Sequence, residues 1–216
     1  STNNYAMAQI NTGFAKDGTA YFTKLQTKGK GQRGKFWQSA VEKNILLSVV
    51  FEMDSLKLAN AFEFNMLVAI TTRAFFQKYV EEKVTIKWPN DIFWCDRKAG
   101  GILIENIVKN KSIQGIIIGI GVNINQMKFN DLPNATSVKK ITGKYYNNDE
   151  ILSEIVNDIK FYFNFLKEET RKKPDLSLRE FVNLLDLLEE NELPLELNQS
   201  VFNETGVNFL TCHGSK

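Results

Sequence analysis

The stretch Gly101–Val122, GILIENIVKNKSIQGIIIGIGV, decides the fold class. It holds two segments dense in branched apolar residues, Gly101–Val108 and Ser112–Val122, both of strand character. Asn110-Lys111 stands between them where a short hairpin turn belongs, so the two are expected as antiparallel neighbours. Upstream, Val84–Trp88 and Ile92–Trp94 are shorter strands parted by Pro89-Asn90-Asp91, which is turn chemistry. Asn44–Met53 (NILLSVVFEM) reads as a buried strand, and Thr19–Gln26 alternates as another. Helix lies between and around them. Leu58, Phe62, Leu67, Ile70, Ala74 and Phe75 fall on one face of a helix from Leu56 to Tyr79. Ser1, Thr2 or Asn3 is placed to cap a short helix running towards Asn11, before breaks at Gly13 and Gly18. Helical spacing returns over Asp149–Leu166 and Leu178–Glu190. The order predicts an α+β domain, a mixed and largely antiparallel sheet packed against helices. Arg171-Lys172-Lys173-Pro174 marks the expected boundary between a domain over 1–170 and a compositionally weaker segment over 171–216.

Composition excludes several function classes. With 216 residues, 43% of them hydrophobic, the chain can bury a core of one domain or one domain plus an appendage. The net charge of +2 gives no general attraction to nucleic acid or to an acidic membrane. The apolar run Ile116–Val122 is far too short to span a bilayer. Ser1-Thr2-Asn3-Asn4 is not the start of a signal peptide, and the absence of an initial Met reads as a trimmed chain. Cys95 and Cys212 are the only cysteines, which argues against a disulfide framework or thiolate zinc site and for a reducing, cytoplasmic setting. His213 is the only histidine and stands near the carboxyl end. Enzymatic chemistry is therefore expected from Lys, Arg, Asp, Asn, Gln and backbone groups.

Three motifs suit that expectation. Gly29-Lys30-Gly31-Gln32-Arg33-Gly34 matches the G-x-G-x-x-G of dinucleotide folds, and with Lys35-Phe36 it is one mismatch short of a P-loop. Both readings need a helix next, and Trp37–Met53 has no helical period. What survives is physical: Lys28, Lys30, Arg33 and Lys35 with interspersed glycines make either an anion-wrapping loop or a solvated basic one. Trp37 is suited to stack on a base or to pack in the core. In KWPND, residues 87–91, Lys87 and Asp91 share a strand end, where a carboxylate can hold Mg²⁺ against a phosphate. The same residues also make an ordinary turn. Lys98 precedes Gly100-Gly101, which would admit a ligand close to the backbone. In Gly119-Ile120-Gly121-Val122-Asn123, the glycines signal a bulge or a close ligand, and Asn123 either reads an adenine edge or closes the strand.

These pieces, in this order and spacing, closely resemble the catalytic domain of biotin protein ligase, of the monofunctional type without a DNA-binding domain. The resemblance covers residues 1 to 125, with softer similarity to about Thr170. It implies a class II aminoacyl-tRNA synthetase/biotin ligase-like fold. It also implies an ATP-dependent enzyme, the biotin--[biotin carboxyl-carrier protein] ligase, which makes biotinyl-5′-AMP and passes biotin to a carrier-domain lysine. Biotin and ATP are then the substrates, Mg²⁺ the metal, and the carrier domain of a biotin-dependent carboxylase the partner. Residue by residue, the resemblance assigns biotin binding to Ser1, Thr2, Asn3, Gln26, Gly29, Lys30, Gly31, Gln32, Lys98 and Gly101. Adenylate binding falls to Lys30, Arg33, Trp37, Lys87, Asn90 and Asn123, and the metal to Asp91. Lys98, Arg33, Lys30 and Lys87 become the catalytic cations. No nucleic-acid or membrane partner is implied, and a homodimer through a sheet edge is left open.

Three departures stand beside the resemblance. Gln32 occupies a loop position where repressor-type ligases carry Arg. No helix-turn-helix domain is expected ahead of Ser1, so operator binding is expected to be absent, and because the first family motif is met at once a preceding strand is expected to be missing. The small SH3-like domain of the family is not legible in 171–216, which reads as reduced, truncated or diverged. The competing readings are a lipoate protein ligase of the same fold, a non-catalytic biotin or nucleotide sensor, and an RNA-binding module using the basic loop.

Overall fold

Ser1 starts the first helix: its hydroxyl accepts the Asn4 N–H at 3.3 Å, capping α1, Thr2–Asn11. The computed structural model describes residues 1–57, 61–109, 112–130, 132–173 and 209–211. After α1 come β1 (Ala20–Phe22), β2 (Asn44–Lys57), α2 (Ala61–Gln77), β3 (Val84–Lys87), β4 (Asp91–Trp94), β5 (Arg97–Lys109) and β6 (Ser112–Asn123). A short α3 (Val138–Thr142), a long α4 (Asn148–Lys172) and β7 (Phe209–Thr211) follow. The described strands form one sheet in the order β3-β4-β5-β6-β2-β1-β7. Every neighbouring pair is antiparallel except β1 with β7. The sheet is thus mixed and largely antiparallel, as predicted.

Strand alternation sorts the side chains onto two faces with opposite roles. Ile45, Leu47, Val49 and Phe51 of β2 join Ile116, Ile118 and Ile120 of β6 on one face. They are covered by Phe64, Leu67, Val68 and Phe75 of α2 and by Ile151, Ile155, Ile159 and Phe163 of α4. The ring of Phe163 stacks on Phe51 at 3.9 Å between centroids, which locks α4 across β2. On the other face, Val50 and Ile117 meet Ala6 of α1 and Tyr21 of β1 in a smaller cluster. That second face carries Ser48, Gly101, Leu103, Glu105, Gly119 and Gly121 by register, with Ser48 opposite Gly119 and Gly101 opposite Gly121. The core therefore backs the sheet, and the opposite face, which carries Gly101, Gly119 and Gly121, is left to form the site.

Several boundaries differ from the sequence expectation. β2 continues past a register shift at Glu52/Leu56, with Leu56 opposite Ile113, so α2 begins at Ala61 rather than Leu56. Leu58 lies outside the described residues. β1 is only three residues long, because the Thr23 hydroxyl donates to the Leu25 carbonyl at 2.9 Å and folds the chain into a turn. β5 begins at Arg97 rather than Gly101, so Lys98 lies within it. The expected hairpin is present, with Lys109 opposite Ser112, although Asn110 and Lys111 lie outside the described residues. α4 runs on to Lys172, past the expected end at Leu166. The helix expected over Leu178–Glu190, and with it most of 171–216, lies outside the described residues.

Candidate active site

The site is a cleft of about 800 Å³ over the glycine-bearing sheet face. Its floor exists because side chains are missing there. A methyl group on Gly119 would lie 2.2 Å from Asn3 Oδ1. One on Gly121 would lie 2.5 Å from Cε2 of Trp37, and one on Gly101 would lie 3.0 Å from Cζ3 of the same ring. The α1 N-terminus and the Trp37 indole thus settle directly on the strands, with the cleft between them.

One end of the cleft is polar but closed. The Thr2 N–H donates to Gln26 Oε1 at 3.1 Å, tying α1 to the segment before the basic loop. The hydroxyls of Thr2 and Ser48 lie 2.7 Å apart, and Ser48 Oγ is 2.6 Å from Asn3 Oδ1. Asn3 Nδ2 donates to Glu105 Oε2 at 2.7 Å and to the Leu103 carbonyl at 3.3 Å. Ser48, Thr2 and Asn3 are all buried, and Leu103, opposite Gly119 on the same face, supplies an apolar wall. The Asn3 amide is committed to protein partners on both sides, so its contribution is to hold the floor.

The other end is basic. Residues Lys30 to Phe36 form a small hairpin, with Lys30 bridged to Phe36 and the Gly31 N–H donating to the Lys35 carbonyl at 2.7 Å. Gln32–Gly34 make its tip, a single 3-10 turn in which Arg33 takes φ 54° and Gly34 φ 75°. Lys30, Gln32 and Arg33 line the cleft from this hairpin, and Lys30 Nζ reaches Glu105 at 3.4 Å. Gly29 is the one expected binding residue that does not line the cleft. A side chain there would strike the Trp37 carbonyl at 2.3 Å, so it closes the hairpin instead.

Across the cleft, Lys98 Nζ pairs with Asp91 Oδ1 at 2.6 Å and sits 5.7 Å from the Trp37 ring centroid. Lys87 opposes Asp91 in the β3–β4 register and lies 5.3 Å over the Phe93 ring. Asn90 Nδ2 donates to the Ile102 carbonyl at 3.1 Å and pins the turn to β5. Lys30, Arg33, Lys35, Lys87 and Lys98 face only Asp91 and Asp96 in this lining, so the end attracts anions. Two buried polar atoms of residues that line the cleft have no hydrogen-bond partner among the described residues: Trp37 Nε1 and Asn123 Oδ1. Asn123 Nδ2 is already given to the Thr136 carbonyl at 3.0 Å, so the orphan is an acceptor. Unpaired buried groups of this kind are characteristic of sites completed by a ligand.

No group of three His, Cys, Asp or Glu side chains that could cage a metal occurs among the described residues. Asp91 presents a carboxylate beside Lys98, which holds one of its oxygens. That donor set fits a hard cation brought in by phosphates, which needs one or two protein carboxylates, and does not fit a resident metal.

The sequence reading gathered nearly all of these residues but missed Ser48 and Glu105. Ser48 carries a visible signal, a single small polar residue inside the apolar run NILLSVVFEM. Glu105 carries the same one, a charge inside GILIENIV.

The family model described as biotin/lipoate A/B protein ligase family matches residues 1–123. Over 124 residues the chain is 35% identical to the bifunctional ligase/repressor BirA of Escherichia coli, covering 57% of this chain and 38% of that protein. It is 25% identical over 163 residues to the biotin--[acetyl-CoA-carboxylase] ligase of Mycobacterium tuberculosis, covering 74% of this chain and 59% of that one. Among solved structures, the biotin protein ligase of Aquifex aeolicus in complex with biotin and ATP superposes with a TM-score of 0.60 at 26% identity, covering 71% of this chain and 64% of that chain. The biotin protein ligase of Leishmania major in complex with biotin shares the fold, with a TM-score of 0.63 at 22% identity over 86% of this chain and 76% of that chain. The chain spans 38% of the length of the Escherichia coli relative.

Proposed function

The chain belongs to the biotin/lipoate A/B protein ligase family, and from that premise we propose that it is an ATP-dependent biotin ligase. It activates the biotin carboxylate as biotinyl-5′-AMP and transfers the acyl group to a lysine of a biotin carboxyl carrier domain. The observation that carries this reading is the closed polar end, where Thr2 and Gln26 line the cleft beside Leu103, with buried Ser48 behind Thr2. A cyclic urea offers N–H and C=O groups to such a set. The dithiolane of lipoate offers neither, and each buried partner it left unpaired would cost about 1–3 kcal/mol.

The basic end suits the chemistry. In the first step a biotin carboxylate oxygen attacks the α-phosphorus of ATP and pyrophosphate leaves. In the second, a neutral lysine amine attacks the acyl carbon, its proton is lost, and AMP leaves with the bonding pair. Two anions must approach each other in the first step, and negative charge grows on phosphoryl oxygens. Lys98, Lys30, Arg33 and Lys87 are fixed cations for that charge, ready before the reaction begins. Trp37 offers a ring face to adenine, and the acceptor-only Asn123 Oδ1 matches the adenine N6 amine rather than the guanine O6. Mg²⁺ entering with ATP would take from this chain the Asp91 carboxylate and would neutralise phosphate charge. Gln32 at the hairpin tip contributes a neutral amide where a further loop cation would hold the adenylate more tightly. The scarcity of cysteine supports a reducing compartment, the cytoplasm, as its place of work.

The test is transfer of biotin to a purified carboxyl-carrier domain with ATP and Mg²⁺, read by avidin blot, with lipoate run beside it. ATP-dependent biotin labelling is expected. Labelling by lipoate in place of biotin would overturn the substrate while keeping the chemistry.

A further inference from the structure

We propose that Ser48 is a positioning residue which, through Asn3 and Glu105, fixes the Thr2 hydroxyl as an acceptor towards the cleft, so that the closed end selects a ligand presenting an N–H there. The inference rests on the reading that a cyclic urea occupies this end, and it adds what makes that end discriminating.

The argument follows protons through the buried network. The Glu105 carboxylate and the Leu103 carbonyl can only accept, and both contact the same Asn3 atom, at 2.7 Å and 3.3 Å. That atom must be the Asn3 nitrogen, so the amide oxygen points to Ser48. An amide oxygen also only accepts, so the Ser48 proton goes to it across 2.6 Å. A hydroxyl has one proton. The 2.7 Å contact between Ser48 and Thr2 must then be donated by Thr2. Thr2, its proton spent inward, presents only lone pairs to the cleft it lines. Gln26 is set the opposite way. Its Oε1 accepts the Thr2 N–H at 3.1 Å, which leaves its Nε2 as the donor. Ser48 itself has no exposed surface and does not line the cleft, so it acts only through its neighbours.

A chain of hydrogen bonds anchored on a carboxylate has one direction. A ring that offers N–H to Thr2 completes the chain, while a ring of the same shape with an oxygen in that position sets two acceptors against each other. The site therefore discriminates by proton direction, which shape alone cannot do.

The experiment compares, by isothermal titration, the binding of biotin and of its two cyclic carbamate analogues, in which one ring N–H is replaced by oxygen. The wild-type chain is expected to bind biotin about tenfold to a hundredfold more tightly than the carbamate whose oxygen faces Thr2. In Ser48→Ala the Thr2 hydroxyl can turn its proton outward, so biotin weakens while that carbamate gains, and the ratio falls to about threefold or less. Glu105→Gln gives the Asn3 oxygen an alternative donor, and it should lower the ratio in the same direction. If Ser48→Ala does not fold, Glu105→Gln decides alone. Equal loss of affinity for urea and carbamate, with the ratio kept, would mean that Ser48 serves packing only and would overturn the proposal. A wild-type chain that binds urea and carbamates equally overturns the relay alone. One that binds none of these rings overturns the biotin reading with it.

Discussion

Gly119→Ala puts the packing of the closed end to a direct test. A methyl group there would lie 2.2 Å from Asn3 Oδ1, 2.9 Å from Cγ and 3.0 Å from Nδ2. Ordinary contact is roughly 3.5 Å, so one side must retreat by more than an ångström. The backbone of β6 cannot, because Gly119 is paired with Ser48 on one side and Leu103 on the other. Asn3 can retreat only by leaving Ser48 and Glu105. One neutral hydrogen bond and one to a carboxylate are then lost, a combined cost of about 2–4 kcal/mol. For a chain of this size that corresponds to a fall in melting temperature of roughly 5–15 °C. The assay is thermal unfolding by circular dichroism, paired with biotin titration, in which affinity should fall with stability because Thr2 shares the network. The same change in an Asn3→Ala background should cost less than about 1 kcal/mol, since the obstruction is gone. A Gly119→Ala protein that melts within 2 °C of wild type (about 1 kcal/mol or less) and binds biotin normally would refute the placement of Asn3 on the floor.

The neighbouring glycine should separate the two ends of the cleft. Gly121→Ala places its methyl 2.5 Å from Trp37 and evicts the ring, so KM for ATP should rise about tenfold or more with biotin affinity changed less. Unaltered ATP kinetics would remove Trp37 from the nucleotide wall. Lys98→Ala should lower the rate of adenylate formation by about 10²–10³-fold. Its effect on stability should stay under about 1 kcal/mol, because the Lys98–Asp91 pair is partly solvent-exposed. A third prediction concerns pH. Burial and the hydrogen bond to Glu154 push the Tyr79 hydroxyl above its usual 10.0. Burial pulls Lys78 down, but its bonds to Glu154 and Asp158 outweigh that and leave it above 10.5. The folded chain holds both protons past the pH at which the unfolded chain releases them. Their stabilisation is therefore full below about pH 10 and is lost as pH rises further. Denaturant titrations from pH 9 to 11.5 should show that decline, and Tyr79→Phe should flatten it; an equal slope in the variant would contradict the assignment.

Much of the site was legible because its residues come in short runs whose order along the chain is kept. Ser1-Thr2-Asn3, Lys30 to Arg33, KWPND, Lys98 and Gly101 all line one cleft. What was not legible lies across strands. Glu105 and Ser48 meet Asn3 only through register, and a 2.0-residue period does not say which strand will stand beside which. The start of α2 was misplaced for a local reason. Leu56 fits the helical face as well as the strand, and only its pairing with Ile113 beyond an irregularity decides for the strand. Lys98 falls outside the expected strand, which starts at Gly101. β4 and β6 on either side of β5 hold Lys98 and the glycines after it in the sheet. The roles of the glycines themselves also needed coordinates: Gly29 closes a hairpin, whereas Gly101, Gly119 and Gly121 clear the floor.

The measurement that bears most directly on the central claim is biotin-dependent exchange of labelled pyrophosphate into ATP, because it reads carboxylate activation without needing an acceptor protein. The account predicts exchange that requires biotin together with ATP and Mg²⁺, that is not supported by lipoate, and that is lost in Lys98→Ala. Folded wild-type protein that shows no exchange with biotin, or exchange driven by lipoate, would contradict it.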